Sequence, residues 1–223
     1  MSSDRRNFLG HFAALGAGGV LLPSALEAAG PEPVQGTNWD MSWRDKVAGD
    51  FRAVFDTPEI TEGVGLWRAA DWKRTVRQVY GDAAKDVSAV LVIRHNAIPM
   101  IMNHAFWERH GIGEEEKITV PRSETFVTWN PWVSRETASD AGGSGGRGMP
   151  TLDGFIADGG IILACNYAFG FMVSKEAQKA GVQSREARPA TLEYLVPGVI
   201  LQPSGFFATI EAQRAGCQFF QAS

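Results

Sequence analysis

Two residues with reactive side chains each follow a short apolar stretch of the sequence. Cys165 comes directly after residues 161–164, and His95 lies shortly after residues 88–93. Continuous apolar runs of this length are typical of strands buried on both faces of a parallel sheet. A thiol between such a strand and the start of a helix experiences the positive end of the helix dipole, which favours the thiolate. Cys165 is therefore a candidate nucleophile, and we expect His95 to stabilise its thiolate or to move its proton.

Both residues also have a structural interpretation. Cysteine is among the residue types most often buried, and in this alternative Cys165 is a small apolar core residue while His95 ends a strand. The second cysteine, Cys217, begins the last apolar segment of the chain. In a parallel sheet it lies at the edge opposite Cys165, beyond the distance of a disulfide bond. We therefore predict that Cys217 is structural and unpaired.

Three further polar or aromatic residues are candidates for ligand binding. Asn166 follows Cys165 directly and can orient a group bound there, while Asn130 and Trp132 flank a proline and can place an amide and an indole over the pocket. Each of the three can equally be a turn residue.

The same region of the sequence contains several soft and borderline metal ligands. His95, Met100, Met102, His104 and Cys165 are residue types that copper prefers. However, Met102 lies on the apolar side of a predicted helix, and His104 is two residues away, so the two side chains point apart. No metal site and no cofactor are predicted.

The segments around these residues alternate between strand and helix patterns. Strands are predicted at residues 88–93, 161–164, 199–201 and 217–220, and helices at 65–80, 98–109, 152–157, 167–180, 190–195 and 205–215. This alternation predicts an α/β fold, a three-layer sandwich with a mainly parallel central sheet, over residues 51–223. Ligands of such sheets collect outside the carboxyl ends of the strands, where His95 and Cys165 lie. Residues 30–50 are predicted to be a linker, and residues 121–150 a glycine-rich loop insertion.

The order of these elements resembles the DsrE/DsrF-like family of sulfur-relay proteins. The resemblance rests on Val-Ile-Arg-His at 92–95, on Ile-Leu-Ala-Cys-Asn at 162–166, and on residues 197–217. It implies a small α/β fold, assembly as a homo-oligomer (trimer or hexamer), and transport of sulfur as a persulfide on Cys165. The insertion at 121–150 departs from the small cytoplasmic carriers, so the tRNA-thiolation partners of that family are not expected.

The N-terminus resembles a twin-arginine export signal. Arg5 and Arg6 precede Phe-Leu and a weakly apolar, glycine-containing stretch that is too short for a permanent membrane helix. We expect residues 1–29 to be the signal peptide and the mature chain to be periplasmic. The alternative is that these residues form an N-terminal helix of the core.

Composition excludes several other functions. The net charge is -4, and no stripe of Lys and Arg interleaves with aromatic residues, so nucleic acid is not an expected partner. No second apolar run approaches transmembrane length. The two resemblances together imply a periplasmic sulfur-handling protein with a sulfur donor and a sulfur acceptor as partners. The alternative is a non-catalytic module of the same fold that binds a ligand or assembles subunits.

Overall fold

A single five-stranded parallel sheet forms the centre of the protein in the computed structural model, which describes residues 39–135 and 149–223. The strands are β1 (Phe51–Thr57), β2 (Val87–Ile93), β3 (Ile161–Cys165), β4 (Ile200–Gln202) and β5 (Gln218–Gln221), and their order across the sheet is β4-β3-β2-β1-β5. Every neighbouring pair is parallel. The predicted three-layer α/β fold with a parallel sheet is confirmed.

Helices cover both faces of this sheet. They are α1 (Val64–Tyr80), α2 (His104–His110), α3 (Ile112–Glu115), α4 (Leu152–Ala157), α5 (Asn166–Ala180), α6 (Ser184–Leu192) and α7 (Gly205–Arg214). Leu91 and Ile93 of β2 face one apolar cluster together with residues of α1 and α5. Val90 and Val92 face the opposite cluster, which includes Ala208 and Ala212 of α7. Because β2 is buried on both faces, its sequence is apolar without alternation.

Helix boundaries follow capping signals present in the sequence. Ser204 accepts a hydrogen bond from the Phe207 backbone N–H at 3.1 Å and caps α7, a position at which serine is favoured. Gly111 and Gly181 end α2 and α5 in the left-handed conformation, for which glycine has no steric penalty.

The helix predicted at residues 98–109 is wrong over its first half. That part is a 3-10 helix, His95–Ile101, and α2 begins only at His104. Pro99 lacks a backbone N–H and restricts the residue before it, so an α-helix cannot continue through this position. Asn103 then starts α2 by accepting a hydrogen bond from the Phe106 N–H at 3.1 Å. The helix predicted at 190–195 likewise lies earlier in the chain, as α6.

Two segments predicted to be irregular contribute to the core. Residues 39–50 of the predicted linker contain a 3-10 helix, Ser42–Lys46, whose Trp43 is fully buried beside α7. Residues 121–135 of the predicted loop insertion pack Val127 and Trp132 into the other cluster. The glycine-rich run at 142–148 and the predicted signal residues Arg5 and Arg6 lie outside the described residues.

The helices of the described residues do not meet the requirements of a membrane span. Within residues 39–135 and 149–223, none combines the length and the apolar character needed to cross a bilayer.

Candidate functional site

A row of polar side chains crosses the carboxyl edge of the sheet. Ile93 of β2 pairs with Ala164 of β3, so the residues that follow them, Arg94 and Cys165, lie next to each other. Cys165 pairs in turn with Gln202 of β4. Side chains of residues in register point to the same face of a sheet. Arg94 and Gln202 therefore belong to the face that α7 covers, whereas Cys165, at the end of β3, packs against the apolar cluster of α5 on the other face.

Cys165 is a free cysteine at the junction between β3 and α5. It is the N-cap of this 15-residue helix, and its Sγ accepts a hydrogen bond from the Ala168 backbone N–H at 3.4 Å. The N-terminus of a helix favours negative charge on such an atom. Cys165 is 6 % exposed, so small reactants reach it more readily than large ones.

Arg94 is the cationic neighbour of Cys165. Its Nε and Nη2 each donate a hydrogen bond of 2.7 Å to one oxygen of Asp56, which is buried at the end of β1. The paired Asp56 raises the pKa of Arg94, and an electrostatic interaction with Cys165 acts in the same direction. The guanidinium also lies 5.0 Å from the centre of the Phe206 ring. These contacts hold Arg94 in one orientation beside the thiol.

The Arg94 side chain also depends on Gly205, the first residue of α7. A Cβ atom at Gly205 would lie 2.5 Å from Arg94 Cδ. Only a residue without a side chain therefore allows the arginine to pass this close to the helix.

His95 does not take the position that the sequence predicts for it. Its side chain is 62 % exposed, and its backbone has a φ of 50°. Among the described residues, the hydrogen-bond partner of His95 is Glu59, whose Oε1 lies 3.1 Å from Nδ1. Asn96 donates to the other oxygen of Glu59 at 2.9 Å. Strand alternation assigns the position beside Cys165 to Arg94, and the next residue turns away.

Gln202 contributes a buried amide to the same row. Its side chain is fully buried, and Nε2 donates to the backbone oxygen of Asp40 at 2.8 Å. Within the described part of the chain, its Oε1 has no hydrogen-bond partner. A buried acceptor without a donor costs free energy, so this atom can receive a hydrogen bond from a bound molecule or a water.

Asn166, predicted to orient a bound group, is already engaged within the protein. Its Oδ1 accepts a hydrogen bond from Arg188 of α6. The Arg188 guanidinium lies over the Phe169 ring, 5.3 Å from the ring centre. Asn166 thus connects α5 to α6 next to Cys165.

Asn130 and Trp132 are placed in the core rather than at the row. The fully buried Asn130 donates through Nδ2 to the carbonyl oxygens of Met100 and Met102, at 2.6 Å each. Its Oδ1 accepts the Trp132 backbone N–H at 2.9 Å. The Trp132 ring lies edge-on to Trp107, 5.8 Å away. These contacts support the interpretation of both residues as organisers of a loop.

The residues weighed as copper ligands also have other roles. His104 Nδ1 accepts the Asn130 backbone N–H at 3.2 Å, so Nε2 carries the proton that it donates to the Ser134 oxygen at 3.0 Å. Met100 and Met102 are fully buried in the core. In the described ranges, no group of three or more His, Cys, Asp or Glu side chains is arranged to hold a metal ion.

Cys217 is free and buried directly before β5, and it is unpaired as the sequence predicts. Burial raises the pKa of its thiol to about 11, although the nearby Arg52 acts in the opposite direction. The thiol form therefore persists at neutral pH, and Cys217 has none of the features of a nucleophile.

Comparisons with known proteins show little similarity. No protein-family model and no curated protein match the sequence. Among solved structures, the chain is similar to a protein of unknown function, MTH1491 from Methanobacterium thermoautotrophicum, at 14 % sequence identity and a TM-score of 0.35. The match covers 77 % of this chain and 99 % of that one. A likeness this weak carries no argument about function.

Proposed function

We propose that the protein handles sulfur in the bacterial periplasm by carrying sulfane sulfur as a persulfide on Cys165. The observation that supports this most is the free Cys165 thiol at the N-terminus of α5, next to the guanidinium of Arg94. Both the helix N-terminus and the cation favour a thiolate, which is the nucleophilic form of cysteine. The resemblance to the DsrE/DsrF-like family points in the same direction.

Loading of Cys165 is a displacement at sulfur without net oxidation. The Cys165 thiolate attacks the outer sulfur of a donor, a bond forms between the two sulfurs, and the donor's bond to its outer sulfur breaks. The electron pair of that bond leaves with the donor group, and Cys165 becomes a persulfide anion. Transfer repeats the process in reverse order, because an acceptor thiolate attacks the outer sulfur and releases the Cys165 thiolate.

The burial of Cys165 agrees with this role. A sulfur–sulfur bond is about 2 Å long, so the outer sulfur of a persulfide lies that far beyond Sγ. The thiol itself is 6 % exposed, which shields the loaded cysteine from oxidants and leaves the outer atom for the acceptor. Arg94, rather than His95, is the residue placed to stabilise the charge during both steps.

The second candidate function is a module that assembles subunits or binds a ligand without chemistry. Apolar side chains exposed on α5 and α7 favour it: Tyr167 is 77 % exposed, Phe206 69 %, and Phe171, Phe207 and Ile210 are exposed as well. Such side chains are typical of contact surfaces. Assembly as a trimer or hexamer is compatible with both functions, although Phe206 also contacts Arg94 of the candidate site.

Mass spectrometry of the intact protein separates the two functions. After incubation with polysulfide and removal of excess donor, the wild type should gain about 32 Da, the mass of one sulfur atom bound as a persulfide. The Cys165→Ala variant should gain nothing, while Cys217→Ala should behave as the wild type does. Absence of a Cys165-dependent gain with any sulfane-sulfur donor would support the binding or assembly module instead.

A further inference from the structure

We propose that the donor loaded onto Cys165 carries an oxyanion group, as thiosulfate does, and that the outer edge of the Arg94 guanidinium binds this group. The inference rests on the proposed function, because it names the class of donor for the same cysteine. It follows from the two edges of the Arg94 guanidinium: one is hydrogen-bonded to Asp56, and the other is open.

Asp56 occupies only one edge of the Arg94 guanidinium. The carboxylate receives its hydrogen bonds from Nε and Nη2. Among the described residues, Nη1 makes no hydrogen bond, so the edge formed by Nη1 and the second proton of Nη2 is free. A guanidinium edge of this kind matches two oxygens of a planar or tetrahedral oxyanion.

The free edge is accessible and fixed in position. The Arg94 side chain is 21 % exposed, whereas Asp56 is buried behind it. Contact with the Phe206 ring and with the backbone of Gly205 limits the conformations of Arg94. An anion therefore meets a guanidinium that has already lost most of its side-chain entropy, which lowers the cost of binding.

Two helix N-termini add positive potential at this place, beside the negative charges of two carboxylates. Asp56 balances the charge of Arg94, and Glu59 contributes a further negative charge to its surroundings. The N-termini of α5 and α7 also end at this edge, at Cys165 and Ser204, and each contributes partial positive charge. An oxyanion on the free edge of Arg94 thus lies within the fields of both helix N-termini. The guanidinium separates this oxyanion from the carboxylate of Asp56.

The strand spacing brings the two residues within reach of one small donor. Neighbouring strands are about 4.8 Å apart, so a small donor bound to Arg94 can direct its sulfane sulfur at Cys165. With thiosulfate, the thiolate takes the outer sulfur and the sulfur–sulfur bond of the donor breaks. Sulfite leaves with the electron pair and Cys165 retains the persulfide. No oxidant, reductant or additional proton is needed.

Alkylation of Cys165 with two probes of similar size tests the anion site directly. Iodoacetate carries a carboxylate and iodoacetamide is neutral, and each rate is divided by the rate for free cysteine. We expect the iodoacetate-to-iodoacetamide ratio to be raised about fivefold in the wild type by the guanidinium. Sulfate at constant ionic strength should slow iodoacetate more than iodoacetamide, because it competes for the same edge.

The informative variant removes both charges of the pair. Arg94→Gln alone leaves Asp56 buried without a partner, which can unfold the protein or repel anions for an unrelated reason. Arg94→Gln combined with Asp56→Asn avoids this and should lower the normalised ratio from about fivefold toward 1, because the guanidinium that binds the carboxylate of the probe is gone. Arg74→Gln, on the exposed side of α1, is the matched control and should keep the wild-type ratio.

The outcomes distinguish this inference from the proposed function. If the double variant keeps the wild-type ratio and its sulfate sensitivity, the oxyanion site on Arg94 is refuted, even when Cys165 still gains sulfur from polysulfide. If Cys165 gains sulfur from no donor, the proposed function fails whatever the ratio. A raised ratio that disappears in the double variant, together with loading from thiosulfate, supports both.

Discussion

Arg94 lies beside Cys165 because the residues directly before them, Ile93 of β2 and Ala164 of β3, are paired in the sheet. The thiol is thus accompanied by a permanent cation that Asp56 holds from the other side. A histidine in this position would lose its charge near neutral pH, whereas an arginine keeps it. The electrostatic support for a thiolate should consequently be independent of pH over the physiological range.

Cys217 provides a prediction about alkaline stability. Its thiol has a pKa of about 11 in the folded protein, above the ordinary value of 9.0, because it is buried. The neutral thiol therefore stabilises the fold at low pH, and this contribution is lost as the pH rises from 9 to 11. The free energy of unfolding of the wild type should approach that of Cys217→Ala over this range. A difference between the two proteins that stays constant with pH would contradict the prediction.

Trp43 provides a prediction about the extent of the domain. Its side chain is fully buried against α7, although the sequence suggests a linker. Trp43→Ala should lower the free energy of unfolding in denaturant by about 3–5 kcal/mol, the usual cost of removing a large core side chain. Trp43→Phe should cost much less, because Nε1 has no hydrogen-bond partner among the described residues. Equal stability of Trp43→Ala and wild type would show that residues 39–50 do not pack.

Glu176 provides a prediction about acid stability. It accepts two hydrogen bonds from Arg109, at 2.9 and 3.0 Å, and one from His110 at 2.8 Å. The hydrogen bonds from Arg109, more than any other interaction, lower the pKa of Glu176 below its ordinary value of 4.5. The carboxylate thus stabilises the fold above pH 4.5, and this contribution is lost as the pH falls through the lowered pKa.

The Glu176→Gln variant tests this effect. At neutral pH it should lose about 1–3 kcal/mol of unfolding free energy, the range for hydrogen bonds to a charged group. The loss should diminish as the pH falls below 4.5, when the wild-type carboxylate also becomes protonated. Glu108→Gln, on the exposed side of α2, is the control and should change little at any pH. An undiminished loss at low pH would assign the effect to packing rather than charge.

Arg5 and Arg6 provide a prediction about export. Receptors of the twin-arginine route read the guanidinium pair as an address, so replacing both by lysine should block export while preserving charge. Fractionation of bacterial cells should find the wild type in the periplasm and the double variant as a precursor inside the cell. Unchanged export of the variant would remove the basis for a periplasmic location.

The sequence predicts those parts of the fold that local patterns determine. β2 and β3 are continuous apolar runs, and Ser204, Gly111 and Gly181 mark helix boundaries, so their positions agree with the structure. β1 was not predicted, because Arg52 and Asp56 interrupt its apolar residues. Asp56 is paired with Arg94 and Arg52 donates to the Ala215 oxygen, and no local pattern reveals either of these distant partners.

The candidate site was predicted only in part, because some of its contacts also join segments that are distant in sequence. Cys165 is identified by its place between an apolar run and a helix, which is a local signal. His95 was predicted because it ends the neighbouring apolar run and can carry a proton, but the register of the strands brings Arg94 next to Cys165. That alternation, counted forward from Ile93, is a signal that would have pointed to Arg94. Asn130 was predicted to face the pocket from its place beside a proline. The contacts with a separate segment that bury it are not visible in the local sequence.

The release of sulfur from Cys165 is the most direct test of the account. Protein loaded from polysulfide and freed of excess donor is treated with cyanide, which takes the outer sulfur as thiocyanate and returns the thiolate. We predict one thiocyanate per chain for the wild type and for Cys217→Ala, and none for Cys165→Ala. Equal amounts of thiocyanate from Cys165→Ala and the wild type, or none from either, would contradict the assignment of Cys165 as the sulfur carrier.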